Sequence, residues 1–92
     1  MKHVHPDNEK QALVARLHKI SGQLQAIERM VLADEDCPEV LMQVISARRA
    51  LKSFGDEIIH AHIHECLDHA DSPEEGRKKL RSFLTVLERY VA

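Results

Sequence analysis

Residues 38–67 read PEVLMQVISARRALKSFGDEIIHAHIHECL, and within them Val40, Val44, Ala47, Leu51, Phe54, Ile58 and Ala61 recur at alternating steps of four and three. Steps of four and three stay on one side of a helix, because 3.6 residues make a turn. Leu41, Ile45, Ile59, Ile63 and Leu67 widen that stripe, as a helix touching neighbours on two sides requires. A single helix of about 30 residues is predicted, well beyond the usual length. Gly55 is its weak point, since glycine costs about 1 kcal/mol relative to alanine inside a helix. The seam nevertheless holds its phase across Gly55, so the helix is expected to be unbroken.

Outward from this stretch the remaining elements are also helical. Asp34-Glu35-Asp36 breaks the pattern, and Asp36 or Cys37 followed by Pro38 supplies a capping residue before a helix-opening proline. Upstream, Leu13, Leu17, Ile20, Leu24, Ile27 and Val31 trace a first helix capped by Asp7 or Asn8 after Pro6. Gly22 lies on its polar side, where it would admit close backbone approach. Residues 1–6 carry no core pattern and are expected to form a flexible arm. Downstream, Asp71-Ser72-Pro73-Glu74-Glu75 predicts a third helix: Ser72 as cap, proline at the first helical position, and Glu75 completing a capping box. Its apolar face is Leu80, Phe83, Leu84, Leu87, Tyr90 and Val91.

The chain has 92 residues, 43% of them hydrophobic but only 3% aromatic, with three glycines, three prolines and no tryptophan. That is enough for one domain over residues 1–92, all-α and aliphatic-cored, with little turn material for a sheet. So small a three-helix chain has limited interior, and burying the long helix calls for a partner chain. An oligomer is expected. Two cysteines 29 residues apart do not resemble the disulfide framework of a small secreted protein, and no apolar run approaches a membrane span or signal peptide. The expected location is the cytoplasm, with no membrane partner.

His60, His62, His64 and Cys66 crowd seven residues of the long helix, and thiolate and imidazole are the side chains that best bind borderline and soft metal ions. His62 and Cys66 share a face, and His60 and His64 share another. Cys37 precedes His62 by 25 residues, roughly 37 Å along one continuous helix. Antiparallel pairing of two chains would instead bring Cys37 of one beside His62 and Cys66 of the other. If the first two helices form a hairpin turning near residue 35, His5 falls beside Glu65 and Cys66. His5, Cys37, His62 and Cys66 then offer two nitrogens and two sulfurs, which suits a zinc(II) tetrahedron or a nickel(II) plane; without His5 the set suits trigonal copper(I). With no HExxH motif, no Gly-rich loop, no group to form an oxyanion hole and little cleft, the sequence points away from an enzyme and from any small organic cofactor.

A net charge of −2 conceals uneven distribution: residues 31–46 sum to −4 and 61–76 to −5, whereas 77–92 sum to +4. In the same hairpin, Arg16 and Lys19 fall level with Lys52 and Arg49, next to Arg48. A merged patch of this kind holds phosphates, and symmetry would lengthen it along a duplex. No short recognition helix after a tight turn is present, so helix-turn-helix docking is not indicated. A metal-storage or delivery protein would use the ligands without DNA, and a plain helical interaction module would use neither.

Arg16-Leu17-His18-Lys19-Ile20-Ser21-Gly22-Gln23, then Cys37, then His62 with Cys66, resembles the CsoR/RcnR family of bacterial metal-sensing repressors over nearly the whole chain. The resemblance implies an antiparallel four-helix-bundle dimer and a dimer-of-dimers tetramer. It also implies operator DNA bound without metal and released with it, derepressing an exporter or detoxification gene. The family's four ligand positions fall on His5, Cys37, His62 and Cys66, and His at the first with Cys at the last resembles the nickel(II)-responsive branch. Copper(I) sensors of the family share the last three. Asp36 and Glu65 match auxiliary ligand positions, with His3 and His64 as further candidates. The family's DNA face implies contacts from Arg16, Lys19, Gly22, Gln23, Arg48, Arg49 and Lys52.

Overall fold

A computed structural model describes residues 7–68 and 71–92, with side chains for 7–64 and 71–92. The expected arm at residues 1–6 lies outside the described residues. Those described form three helices and no strand: α1 over Asp7–Leu32, α2 over Cys37–Asp68 and α3 over Pro73–Val91. The chain is all-α, as the apolar periodicity requires, and α2 passes Gly55 without interruption for 32 residues.

Each boundary has a local cause. Asp7 and Glu9 place negative charge in the first turn of α1, where the helix dipole is positive. Its far end closes on Asp34, which adopts φ 55°. The Glu35 N–H donates to the Met30 carbonyl at 3.0 Å and the Asp34 N–H to that of Val31 at 3.2 Å. These are the two bonds of a Schellman closure, with aspartate where glycine is the usual residue. The Asp36 carbonyl accepts the first helical bond of α2, from the Val40 N–H at 3.1 Å. Asp36 is therefore the capping residue and Pro38 falls in the first turn, where a missing N–H costs nothing.

At α3 the Ser72 hydroxyl accepts from the Glu75 N–H at 3.1 Å, and Pro73 follows at the first helical position. The capping box is shifted by one residue: the Glu75 carboxylate accepts from the N–H of Asp71, at 3.2 Å, not from that of Ser72. Lys79, one turn on, pairs with Glu75 at 3.1 Å and is the main cause that holds this carboxyl below its ordinary value, assisted by Asp71 and opposed by partial desolvation.

Backbone contacts gather into two units, one within residues 7–57 and the other within 58–92. In the first, α1 meets the leading part of α2 around Ile20 and Ala47, which are 6% and 7% exposed. They are the fully buried apolar side chains among the described residues. Val14, Leu17, Leu24 and Val31 of α1 and Leu41, Val44, Ile45 and Leu51 of α2 remain exposed. Of the predicted seam, Leu17, Leu24, Val31, Val44 and Leu51 are thus left open in one chain. In the second unit α3 presents Leu80, Phe83 and Leu87 as half-buried residues, while Leu84, Val86 and Val91 stay exposed.

Candidate functional site

Arg16, Lys19, Ile20 and Gln23 occupy positions i, i+3, i+4 and i+7 of α1 and so share one face. Opposite them, α2 presents Ser46, Ala50 and Ser53 at i, i+4 and i+7. Together these seven residues line a groove of about 260 Å³. On the α2 side the groove is bounded by small residues, which leave room between the helices. Two cations stand along the lining, which includes no acid. At one end the Gln23 amide Nε2 donates to the Ser46 hydroxyl at 3.3 Å. The Gln23 Oε1 is buried without a hydrogen-bond partner, an arrangement that normally costs free energy and persists for a reason.

The side of α2 that faces this stripe differs from the expectation: Lys52 and Arg49 were placed level with Arg16 and Lys19, whereas the α2 residues that line the groove are Ser46, Ala50 and Ser53. Arg48, Arg49 and Lys52 are exposed and flank the groove without lining it, and Lys52 pairs with Asp56 at 3.0 Å. Gly22 is exposed, and a Cβ built on it meets nothing within 4 Å. The close approach expected at Gly22 is therefore not made among the described residues. Ser46 and Ser53 are additions to the site. Their signal in the sequence is faint, a run of small residues facing a basic stripe. A second basic depression, of about 340 Å³, lies on α3 among Glu74, Arg77, Lys78 and Arg81.

Of the four expected metal ligands, two have described side chains. Cys37 is the first residue of α2, and its thiol is free and exposed. His62 is half-buried, with its ring centroid 4.4 Å from that of Phe83 on α3 and the planes tilted by 45°. Phe83 thereby limits how the imidazole can turn, a role that its place in an apolar stripe did not reveal. His5 and His3 lie outside the described residues, as do the side chains of Cys66 and Glu65. Asp36 caps α2 and is exposed. His64 sits against His60, with their Nε2 atoms 3.2 Å apart. Among the described residues no three His, Cys, Asp or Glu side chains converge on a common point. Among them, too, no helix is long and apolar enough to cross a membrane.

Comparison with known proteins bears on both features. Residues 9–89 match the family described as metal-sensitive transcriptional repressors. The transcriptional repressor RcnR of Citrobacter koseri is 32% identical over 87 residues, covering 95% of this chain and 97% of its own. The copper-sensing transcriptional repressor CsoR of Bacillus subtilis is 28% identical over 82 residues, covering 89% and 81%. Among solved structures, the nickel-responsive transcriptional regulator InrS is 34% identical and superposes with a TM-score of 0.76, over 96% of this chain and 99% of its own.

Proposed function

The chain belongs to the family of metal-sensitive transcriptional repressors, which are not enzymes, and from that premise we propose that it holds operator DNA when metal-free and releases it on binding nickel(II). A metal-efflux or detoxification gene is thereby transcribed. The 92 residues act in the cytoplasm as one metal-sensing, DNA-binding domain.

The observation that carries this reading is the groove between α1 and α2. Arg16 and Lys19 provide the charge that phosphate oxygens require, while Gln23, Ser46 and Ser53 provide uncharged donors and acceptors at the same level. Arg48, Arg49 and Lys52 extend the positive surface beside it, and Gly22 keeps the approach on the α1 side open. Phosphate contacts fix the register of a protein on a duplex. Repetition of the groove by symmetry in a homotetramer would give a strip along the DNA. The exposed α1 residues Leu17, Leu24 and Val31, spaced seven apart, support assembly into dimers and tetramers, because burying the exposed half of each by a partner contributes half of the roughly 1.5 to 3 kcal/mol of a full burial.

For the metal, an exposed free thiol at Cys37 and an imidazole held by Phe83 at His62 suit a borderline or soft ion. His5, Cys37, His62 and Cys66 would hold it, with Cys37 contributed by the partner chain, and the ion would supply a cross-link between the two. Asp36, beside Cys37, and Glu65, beside Cys66, are placed to tune these ligands. Phe83 keeps the His62 ring in place. DNA and metal then favour different arrangements of one assembly, and each weakens binding of the other by the same factor. The nickel-responsive InrS, at 34% identity, favours nickel(II). The copper-sensing B. subtilis relative favours a second reading, a copper(I) sensor using Cys37, His62 and Cys66 alone.

The test begins with a random duplex library passed over the reduced, metal-free protein. Retained duplexes should be released by nickel(II), and their affinity should fall steeply with salt. Removing both cations in Arg16→Ala/Lys19→Ala should reduce the logarithmic salt slope by about 1.8 for each groove on the duplex, two phosphate contacts at about 0.9 each. Release by copper(I) and not by nickel(II) selects the second reading. Stoichiometric metal binding with no duplex retained would identify a storage or delivery protein and overturn the repressor.

A further inference from the structure

His60 and His64 of α2 face each other one turn apart, both exposed, with ring centroids 4.6 Å apart and planes at 71°. Their Nε2 atoms lie 3.2 Å apart. We propose that this pair is a second, independent site for a borderline divalent cation, chelated by the two Nε2 atoms on the face of α2 opposite His62. The nickel reading above does not enter into it.

The distance carries the argument. Imidazole nitrogens bind a zinc-sized divalent ion at about 2.0–2.1 Å, so two of them 3.2 Å apart subtend an angle of about 100–105° at the metal. That is close to the tetrahedral angle and between it and the right angle of a square plane or octahedron. A cation can therefore replace the hydrogen bond between the rings with little change in their separation. Proton bookkeeping is also simple. In the neutral pair one ring carries hydrogen on Nε2 and donates it to the other. For coordination that proton moves to Nδ1 of its own ring, which leaves both Nε2 lone pairs free and releases no net proton. The remaining coordination positions are open to water, since both residues are exposed.

The pair cannot share an ion with His62. At 100° per residue, His62 points half a turn away from the midpoint of His60 and His64, and its ring is packed against Phe83. Two nitrogen donors and no thiolate also define a different selectivity. The pair should follow the order cobalt(II) below nickel(II) below copper(II), whereas copper(I), which favours sulfur, should prefer the thiol-bearing face.

The experiment is equilibrium dialysis of the reduced full-length protein against nickel(II), with bound metal counted per protomer. The wild type should bind one ion more than His60→Gln or His64→Gln. Each variant should lose affinity for that ion on the order of 10²-fold, because one-point attachment replaces chelation. Thiolate-to-metal absorption should be unchanged in both, and His62→Ala should shift and weaken that absorption, since the thiolates remain, while leaving the second ion bound. Long-range ¹H–¹⁵N spectra with zinc(II) should show the Nε2 signals of His60 and His64 moving together. Equal stoichiometry in wild type and both glutamine variants, or loss of the second ion in His62→Ala, overturns the proposal. Failure of the thiolate site alone removes the absorption and leaves the second ion in place.

Discussion

Replacing Gln23 with methionine should make the protein more stable and a poorer DNA binder. The Gln23 Oε1 is buried with no partner, and an unsatisfied buried polar atom costs about 1–3 kcal/mol. Against this stands the bond from Gln23 Nε2 to the Ser46 hydroxyl, which at 3.3 Å is at the long end for such bonds and contributes on the order of 1 kcal/mol or less. Methionine has nearly the same length and volume, so repacking adds little, and the Ser46 hydroxyl, on an exposed residue, can turn to water. The net expectation for Gln23→Met is a gain of about 1 kcal/mol. Urea unfolding at matched protomer concentration measures it, since the stability of an oligomer depends on concentration. On the DNA side the loss of one amide contact should weaken binding about tenfold, the equivalent of about 1.4 kcal/mol. A variant that is destabilised by 1 kcal/mol or more and binds DNA as before would refute the reasoning. Gln23 would then be a structural residue whose Oε1 is satisfied in the assembly.

Three further outcomes can be checked independently. Asp34 sits at φ 55°, where a side chain is disfavoured, so Asp34→Gly should stabilise the turn by up to about 1 kcal/mol in the same urea assay. Glu75 titrates below its ordinary value of 4.5, chiefly because of Lys79; it therefore stabilises the folded state above that value, and the contribution is lost as pH falls through the lowered one. A carboxyl NMR titration should show this, with Lys79→Ala returning Glu75 toward 4.5. Phe83→Ala removes the ring packed against His62 and should lower metal affinity about tenfold in a chelator competition, the usual effect of losing a group that orients a ligand. An unchanged affinity would show that Phe83 only packs.

Helix boundaries were legible because their causes are local. Ser72 and Pro73 start α3, Asp36 and Pro38 start α2, and the four-three seam carries α2 through Gly55. A turn near residue 35 agrees with the bond between Gln23 and Ser46, whose positions are centred between 34 and 35, but it leaves open which side of α2 faces α1. Adjacent helical positions point about 100° apart, enough to exchange Arg49 and Lys52 for Ala50 and Ser53 as groove lining. The basic half of the groove was visible as Arg16, Lys19 and Gln23; the small half was not, since Ser and Ala on a helix signal nothing until something faces them. His64 was legible in part. The sequence places it on one face with His60, and that is the ring it meets; what the spacing does not show is that the two nitrogens come within 3.2 Å of each other.

The two features that a single chain leaves unfinished bear on each other. Leu17, Leu24 and Val31 on α1 and Leu41, Val44 and Leu51 on α2 are exposed along the helices that also carry the groove and Cys37. Burying them requires another helix laid along the hairpin, and an antiparallel copy of α2 is an element of sufficient length. In such an arrangement the first residue of one α2 falls near the last turns of the other, so the contact that completes the core would also deliver the thiol to His62. On the proposed reading, a metal bridging the two chains would act on the packing that sets the spacing between neighbouring grooves. Spacing matters to a duplex whose phosphates repeat at a fixed interval, and a small change in it removes several contacts at once. A sensor built this way needs no movement within the groove itself, which is consistent with Gln23 and Ser46 being tied to each other across α1 and α2.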